Sequence, residues 1–306
     1  MRGVHGEKIV AAIQSDKMPE ADVRRLKEAL KVYDQWIKNL VDTDAKTLDE
    51  LIIKMVKQMN EYKYYIDFDL IFGSPEDFLY RQKGQLKLDN TVLEEFLPIF
   101  VGKCIKKEYG DYDIDISSQI QTFSSAFFST SLSNPAVGGG LNIKTKAQDF
   151  SMSRTLYLKS SYNPHFTESD TVTVETHLGY VLAEIKTNLD KTMFQEASAT
   201  AHDIKQAVTG AKYYLLCDYL DMTPISTTTT DIDEIIILRK AKRIASDTRK
   251  HFSSIAGRTK YRTWYSEYLK THPYSADMFK RFITHIFSQM KNEELIESSV
   301  LEEGYF

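Results

Sequence analysis

The chain has 306 residues, enough to bury one large core or two modest ones. Hydrophobic residues at 42% and charged residues at 27%, with many Tyr and Phe and few Pro, exclude extensive disorder. The net charge of -4 argues against a nucleic-acid partner only if the charge is spread evenly, and it is not.

The N-terminal stretch MRGVHGEKIV leads into a polar helix and lacks the apolar segment of a signal peptide. No apolar run reaches the roughly 18 residues of a membrane span. Cys104 and Cys217 are far apart and lack metal-ligand spacing, so they read as reduced core cysteines of a cytoplasmic protein. The histidines are scattered without an H-E-x-x-H pattern, which gives no basis for a zinc site.

Helical periodicity dominates to about residue 130. Val23, Leu26, Leu30, Tyr33, Ile37 and Leu40 recur at three-and-four spacing after Pro19. Leu48, Leu51, Ile52, Met55, Val56 and Met59 form a second stripe. A third helix runs through Val92, Leu93, Phe96 and Ile99, capped by Asp89 or Asn90 and bent by Pro98. The aromatic-rich run from Ile120 to Phe128 is expected to be a fourth. Gly138-Gly139-Gly140 marks a loop without the residues of a P-loop.

Strands follow. One spans Asp149 to Ser160. The next stretch, TVTVETHLGYVLAEIKT from Thr171 to Thr187, reads as a hairpin turning at His177-Leu178-Gly179. Residues two apart in a strand share a face, so Glu184 and Lys186 project together while Val181, Ala183 and Ile185 pack the other side. A helix comes next, with a capping-box pattern at Thr192 to Gln195 and an apolar stripe of Phe194, Ala197, Ala201, Ile204 and Val208. Tyr213 to Cys217 and Ile235 to Leu238 read as buried strands, and the chain after Ala241 as helical.

A carboxylate beside an ammonium at a strand end can hold a divalent metal and orient an attacking water. A lone E-x-K is weak evidence, because an ion pair on a sheet edge has the same spacing. The copies at Glu61-Tyr62-Lys63 and Asp203-Ile204-Lys205 lie in helical runs, where the two charges splay apart. Phosphodiester cleavage also needs a second oxygen ligand for the metal. Hairpin geometry brings Asp170 and Glu168 towards Glu184 and Lys186, whereas Asp149 competes from the start of the preceding strand. If neither serves, an acid of the N-terminal helices such as Glu94 or Glu95 becomes the candidate. Gln195 either caps its helix or hydrogen-bonds a ligand water or phosphate.

Between Arg239 and Arg262 nine Lys or Arg residues face one acid, Asp247. Arg239, Lys240, Lys242, Arg243, Arg258, Lys260 and Arg262 are the candidate phosphate contacts, against the plainer reading of a solvated helical face. The tail from Lys291 to Phe306 carries five Glu and one Lys.

The residue order resembles the PD-(D/E)xK nuclease superfamily. The run AEIKTNLDKTMFQEASATAHDIKQAVTGAKYYLLCDYLDMTP, within a resemblance over about residues 142 to 245, is similar to type II restriction endonucleases whose two different subunits cut asymmetric sites. The resemblance implies an α/β fold: an αβββαβ core with a mixed sheet, flanked by large helical regions. The expected divisions are a helical part at 1–135, the nuclease core at 136–245 and a helical part at 246–306. It also implies Mg2+-dependent hydrolysis of double-stranded DNA, with Glu184 and Lys186 matching the family's E-x-K, and a second nuclease subunit, identical or related. No Pro-Asp dipeptide precedes the motif; Asn163-Pro164-His165 stands where one would be sought. Asp149, Asp170 and Glu168 therefore stay open as the first acid. Two other readings compete: a DNA- or RNA-binding module on a nuclease-like sheet, and a repair or defence nuclease without sequence specificity.

Overall fold

A computed structural model describes residues 2–291 together with Leu301 and Gly304. All five glutamates of the acidic tail lie outside the described residues. Among the described residues no helix is long and apolar enough to cross a membrane.

Five helices come first: α1 (Val4–Ile13), α2 (Glu20–Asp42), α3 (Leu48–Tyr64), α4 (Asp77–Leu86) and α5 (Thr91–Tyr109). The three-and-four spacing works as expected. In α2 the buried line is Leu26, Ala29, Tyr33, Trp36 and Leu40, with Val23, Leu30 and Ile37 packed partly against it. Thr47 caps α3 by accepting from the Glu50 amide. Its C-terminal end then widens into a π-helical segment, Tyr65–Phe72, so rich in apolar residues that most of it is buried. Pro98 does lie inside α5, but neither expected cap serves it. Asn90 makes no capping bond, and the Asp89 carboxylate accepts from Lys83 at 2.6 Å instead.

The strands are β1 (Asp115–Ser117), β2 (Ile120–Phe128), β3 (Leu141–Gln148), β4 (Phe150–Ser161), β5 (Thr171–Leu189), β6 (Lys212–Leu220) and β7 (Glu234–Lys242). Two expectations are corrected here. Ile120 to Phe128 is not a helix; as β2 it pairs antiparallel with β3, with a register shift between Phe123 and Ser125. Its aromatic and β-branched residues suit a strand as well as a helix, and the partner strand decides. Nor does the chain turn at His177-Leu178-Gly179. Thr171–Leu189 is one continuous strand, paired with β4 from Phe150↔Ala183 to Ser161↔Thr171. Gly179 sits at a shift of that register, where Ser153 pairs with Gly179 but Met152 pairs with Val181. A glycine inside a strand pattern marks a bulge as readily as a turn.

The sheet is mixed. β4 runs antiparallel to β5, while β6 and β7 continue from β5 in parallel. β2 meets β5 near His177 and carries β3 at the edge. The loop before β3 is built by glycine: Gly138 has φ +56, and a Cβ there would lie 2.4 Å from the Ser160 carbonyl oxygen.

Side-chain parity divides the core. Val181, Ala183 and Ile185 join Tyr214, Leu216, Ile236 and Leu238 in the cluster that the N-terminal helices and α10 (Ala276–Met290) cover. Leu182, Tyr213, Leu215 and Cys217 face α6 (Lys191–Ala207), whose Phe194, Ala197, Ala201 and Ile204 close on them. Glu184 and Lys186 are therefore on the α6 face by alternation. Cys104 and Cys217 are both buried free thiols. After β7 come the short α7 (Ser246–Arg249) and α8 (Ile255–Lys260), then α9 (Arg262–Thr271).

Candidate active site

The register of β4 against β5 builds the site. Phe150 pairs with Ala183, which sets Asp149, in the turn between β3 and β4, beside Glu184. The Ile185 amide donates to Asp149 Oδ2 at 2.8 Å. On β5, Lys186 Nζ lies 2.6 Å from Glu184 Oε1. Glu184 Oε2 accepts from the Tyr213 hydroxyl of β6 at 2.9 Å. Both charged side chains of the pair are only about a quarter exposed or less, so their interaction is poorly screened.

The electrostatics reflect two acids close together. Burial pushes the Asp149 carboxyl above the usual carboxylate range, and the Glu184 charge adds to it; the Ile185 hydrogen bond opposes both. Lys186 is held above the ordinary lysine range by its bond to Glu184 and by the Asp149 charge, against the opposing and larger effect of burial.

Tyr213 and Gln119 were not among the candidates named from the sequence, and Glu94 was named there only as a fallback acid. Tyr213 steadies Glu184 from the neighbouring strand; it belongs to the same sheet face, which alternation along β6 could have indicated. Glu94, on the first turn of α5, is pushed up to about 7 by burial and by the Asp149 charge. Gln119 links the two acids, with its side-chain amide 2.7 Å from Glu94 Oε2 and 3.4 Å from Asp149 Oδ1. Gln119 holds a left-handed backbone, φ +57, in the turn before β2. The only sequence signal for Glu94 is a carboxylate inside an apolar run. Glu95 turns away and accepts from the His5 amide.

The other candidates separate. Asp170 is not in the site: it is exposed before β5, where it accepts from the Thr167 hydroxyl at 2.6 Å. The fourteen residue steps from Asp170 to Glu184, nearly all in an extended strand, span on the order of 45 Å. Glu168 shares that far end. Gln195 is exposed on α6 and makes no hydrogen bond to the site among the described residues. Nor does the proposed box cap α6; Asp190 does, accepting from the Met193 amide.

The basic segment is corrected in part. Arg239 is buried, donates to the His272 carbonyl at 2.8 Å, lies 4.1 Å over the Tyr274 ring and sits near Asp67 and Asp218. Arg258 is 3% exposed and donates to the carbonyls of Phe252, Ser74 and Glu76, and to Asp77. Both guanidiniums are spent on braces within the protein. Arg243 is half-buried and bonded to Asp221 at 2.7 Å. Lys240, Lys242, Lys260 and Arg262 are exposed, with Lys240 paired to Asp277 and Arg262 lying over Phe68.

Among the described residues no three Asp, Glu, His or Cys side chains form a preassembled metal cage. The donor set nonetheless suits a hard divalent cation. Asp149 and Glu184 are neighbouring carboxylates whose repulsion such a cation relieves, and Mg2+ commonly uses one or two carboxylates, completing its shell with water and phosphate oxygens. The oxygen donors, the ammonium and the position at the end of β5 together can bind a cation and a phosphodiester.

No curated protein matches the chain. A chain of the native BbvCI A2B2 tetramer is 20% identical, covering 78% of this chain and 97% of that one, with a TM-score of 0.35, a likeness too low to support any functional argument. Residues 85–306, which include Glu94, Asp149, Glu184 and Lys186, match the Bpu10I restriction endonuclease description. The chain belongs to the Bpu10I restriction endonuclease family.

Proposed function

We propose that the chain is a nuclease subunit that hydrolyses phosphodiester bonds of specific double-stranded DNA sites, using Asp149, Glu184 and Lys186. The hydrogen bond from the Ile185 amide to Asp149 carries the reading, because it brings the missing acid to the E-x-K pair. Asp149 and Glu184 would hold Mg2+, which when bound lowers the pKa of a coordinated water and polarises a phosphoryl oxygen. Lys186 orients the attacking water and offsets charge as it accumulates on the phosphate. Tyr213 keeps Glu184 Oε2 in place, and Gln119 does the same for Asp149.

One such site cuts one strand. The strands of a duplex run in opposite directions, so a rigid subunit cannot present the same site to both scissile bonds without rebinding. The reading therefore includes a second nuclease subunit. Identical subunits suit a palindromic site, because protein two-fold symmetry is mirrored in the DNA; unlike subunits suit an asymmetric one. Incubation of the purified protein with plasmid in Mg2+, with EDTA as control and the cut ends mapped, tests the activity. Supercoiled plasmid left intact across a range of sequences, alone and with a related subunit, would argue against it.

A further inference from the structure

Thr187 and Asn188 follow Lys186 directly on β5 and form one side of a cleft of about 470 Å3. Tyr80 and Lys83 of α4, with Arg243 and Arg249 from beyond β7, form much of the rest. The cations of this cleft differ in their commitments. Lys83 is held by Asp89 at 2.6 Å. Arg243 Nη1 donates to Asp221 at 2.7 Å. Arg249 makes no ion pair among the described residues; its Nε donates to the Ile244 carbonyl at 2.8 Å. Partial burial lowers the Arg249 guanidinium's proton affinity, and the Arg243 charge lowers it further. Arg81, also in the lining, is paired with Asp77 at 3.1 Å, so Arg243 and Arg249 share one carboxylate, Asp221, and an anion placed between them relieves their repulsion. The planar fork of an arginine fits a phosphate through paired hydrogen bonds.

We propose that this cleft seats a phosphate of the DNA strand being cut, beside the scissile one, with Arg249 as its principal ligand and Arg243 next to it. Asn188 lies two residues past Lys186, roughly 7 Å along an extended strand. A DNA strand carries one phosphate per ~3.4 Å of helix axis, so a strand whose scissile phosphate meets Lys186 brings a neighbour to the cleft. The inference rests on the nuclease reading for the identity of the strand. It adds Arg249 to the phosphate contacts and gives Arg243 a defined place among them.

The test is binding of a duplex DNA fragment in Ca2+ across a KCl series, comparing the wild type with Arg249→Gln, Arg249→Lys and Arg243→Gln. Loss of one phosphate contact flattens the slope of log K against log salt by about 0.9, and Arg249→Lys, which keeps the charge, retains most of it. An unchanged slope in Arg249→Gln overturns the proposal, as does a wild type that binds no duplex. Should Arg249→Gln fail to fold, Arg243→Gln carries the same criterion, because its side chain bonds only Asp221 among the described residues. Glu184→Gln is scored for cleavage in Mg2+ alongside. If that variant cuts like the wild type, the catalytic assignment fails while the slopes still judge the cleft.

Discussion

The amide of Ile185 donates to the carboxylate of Asp149 at 2.8 Å, tying the turn between β3 and β4 to the middle residue of Glu184-Ile185-Lys186. The motif's outward residues carry the charges, its inward side chain packs the core, and its backbone orients the third charged group. This bond separates Asp149 from every other acid weighed for the role.

Asp149→Ala is accordingly expected to lose cleavage by a factor on the order of 10²–10³, while Asp170→Ala cuts at the wild-type rate. A Mg2+ titration of plasmid cleavage with the two variants checks this. The reverse pattern would contradict the β4–β5 register.

Glu94 has a stability signature. Its folded-state pKa is raised from 4.5 to about 7. A raised acid binds its proton more tightly when folded, so its contribution is fully present below pH 4.5 and is lost as pH rises through 7. Glu94→Gln should therefore be more stable than the wild type at pH 8, by up to about 3 kcal/mol, with the difference shrinking towards pH 4.5. Urea denaturation at both pH values checks it. Equal stability differences at the two pH values would place Glu94 in a less buried setting.

Arg239 and Arg262 should part company. Arg239→Ala leaves the buried Asp218 without its guanidinium, while Asp67 keeps Lys63, a loss expected to cost about 3 kcal/mol in urea unfolding. Arg262→Ala, on the exposed start of α9, should leave stability within about 0.5 kcal/mol and flatten the salt dependence of DNA binding. A stable Arg239→Ala that binds DNA weakly would reverse the assignment.

Much of this was legible in the sequence, and the exceptions have physical causes. The stripes of α2 and α3 follow from apolar spacing alone, since each needs only one buried face. The shared face of Glu184 and Lys186 follows from strand alternation. Asp149 against Asp170 did not follow, because Gly179 fits a turn and a bulge equally and only pairing with β4 distinguishes them. Ile120 to Phe128 failed for the same reason. The basic run from Arg239 to Arg262 looked uniform because its partners, Asp67, Asp77 and Asp218, come from distant segments. Glu94 joins the site only through the packing of α5 against the turn that holds Gln119.

If the active assembly holds two nuclease subunits, sedimentation on cut-site DNA should give two nuclease chains per duplex. This chain alone, if its partner is unlike it, should nick one defined strand. A lone monomer making concerted double-strand breaks would refute that arrangement.

Cleavage of plasmid in Mg2+ by Glu184→Ala and Lys186→Ala, with duplex binding in Ca2+ measured on the same preparations, tests the catalytic assignment most directly. Both variants should stay folded and bind DNA, yet lose cleavage by a factor on the order of 10²–10³. Near wild-type cutting by either would contradict the assignment of the reaction to this site.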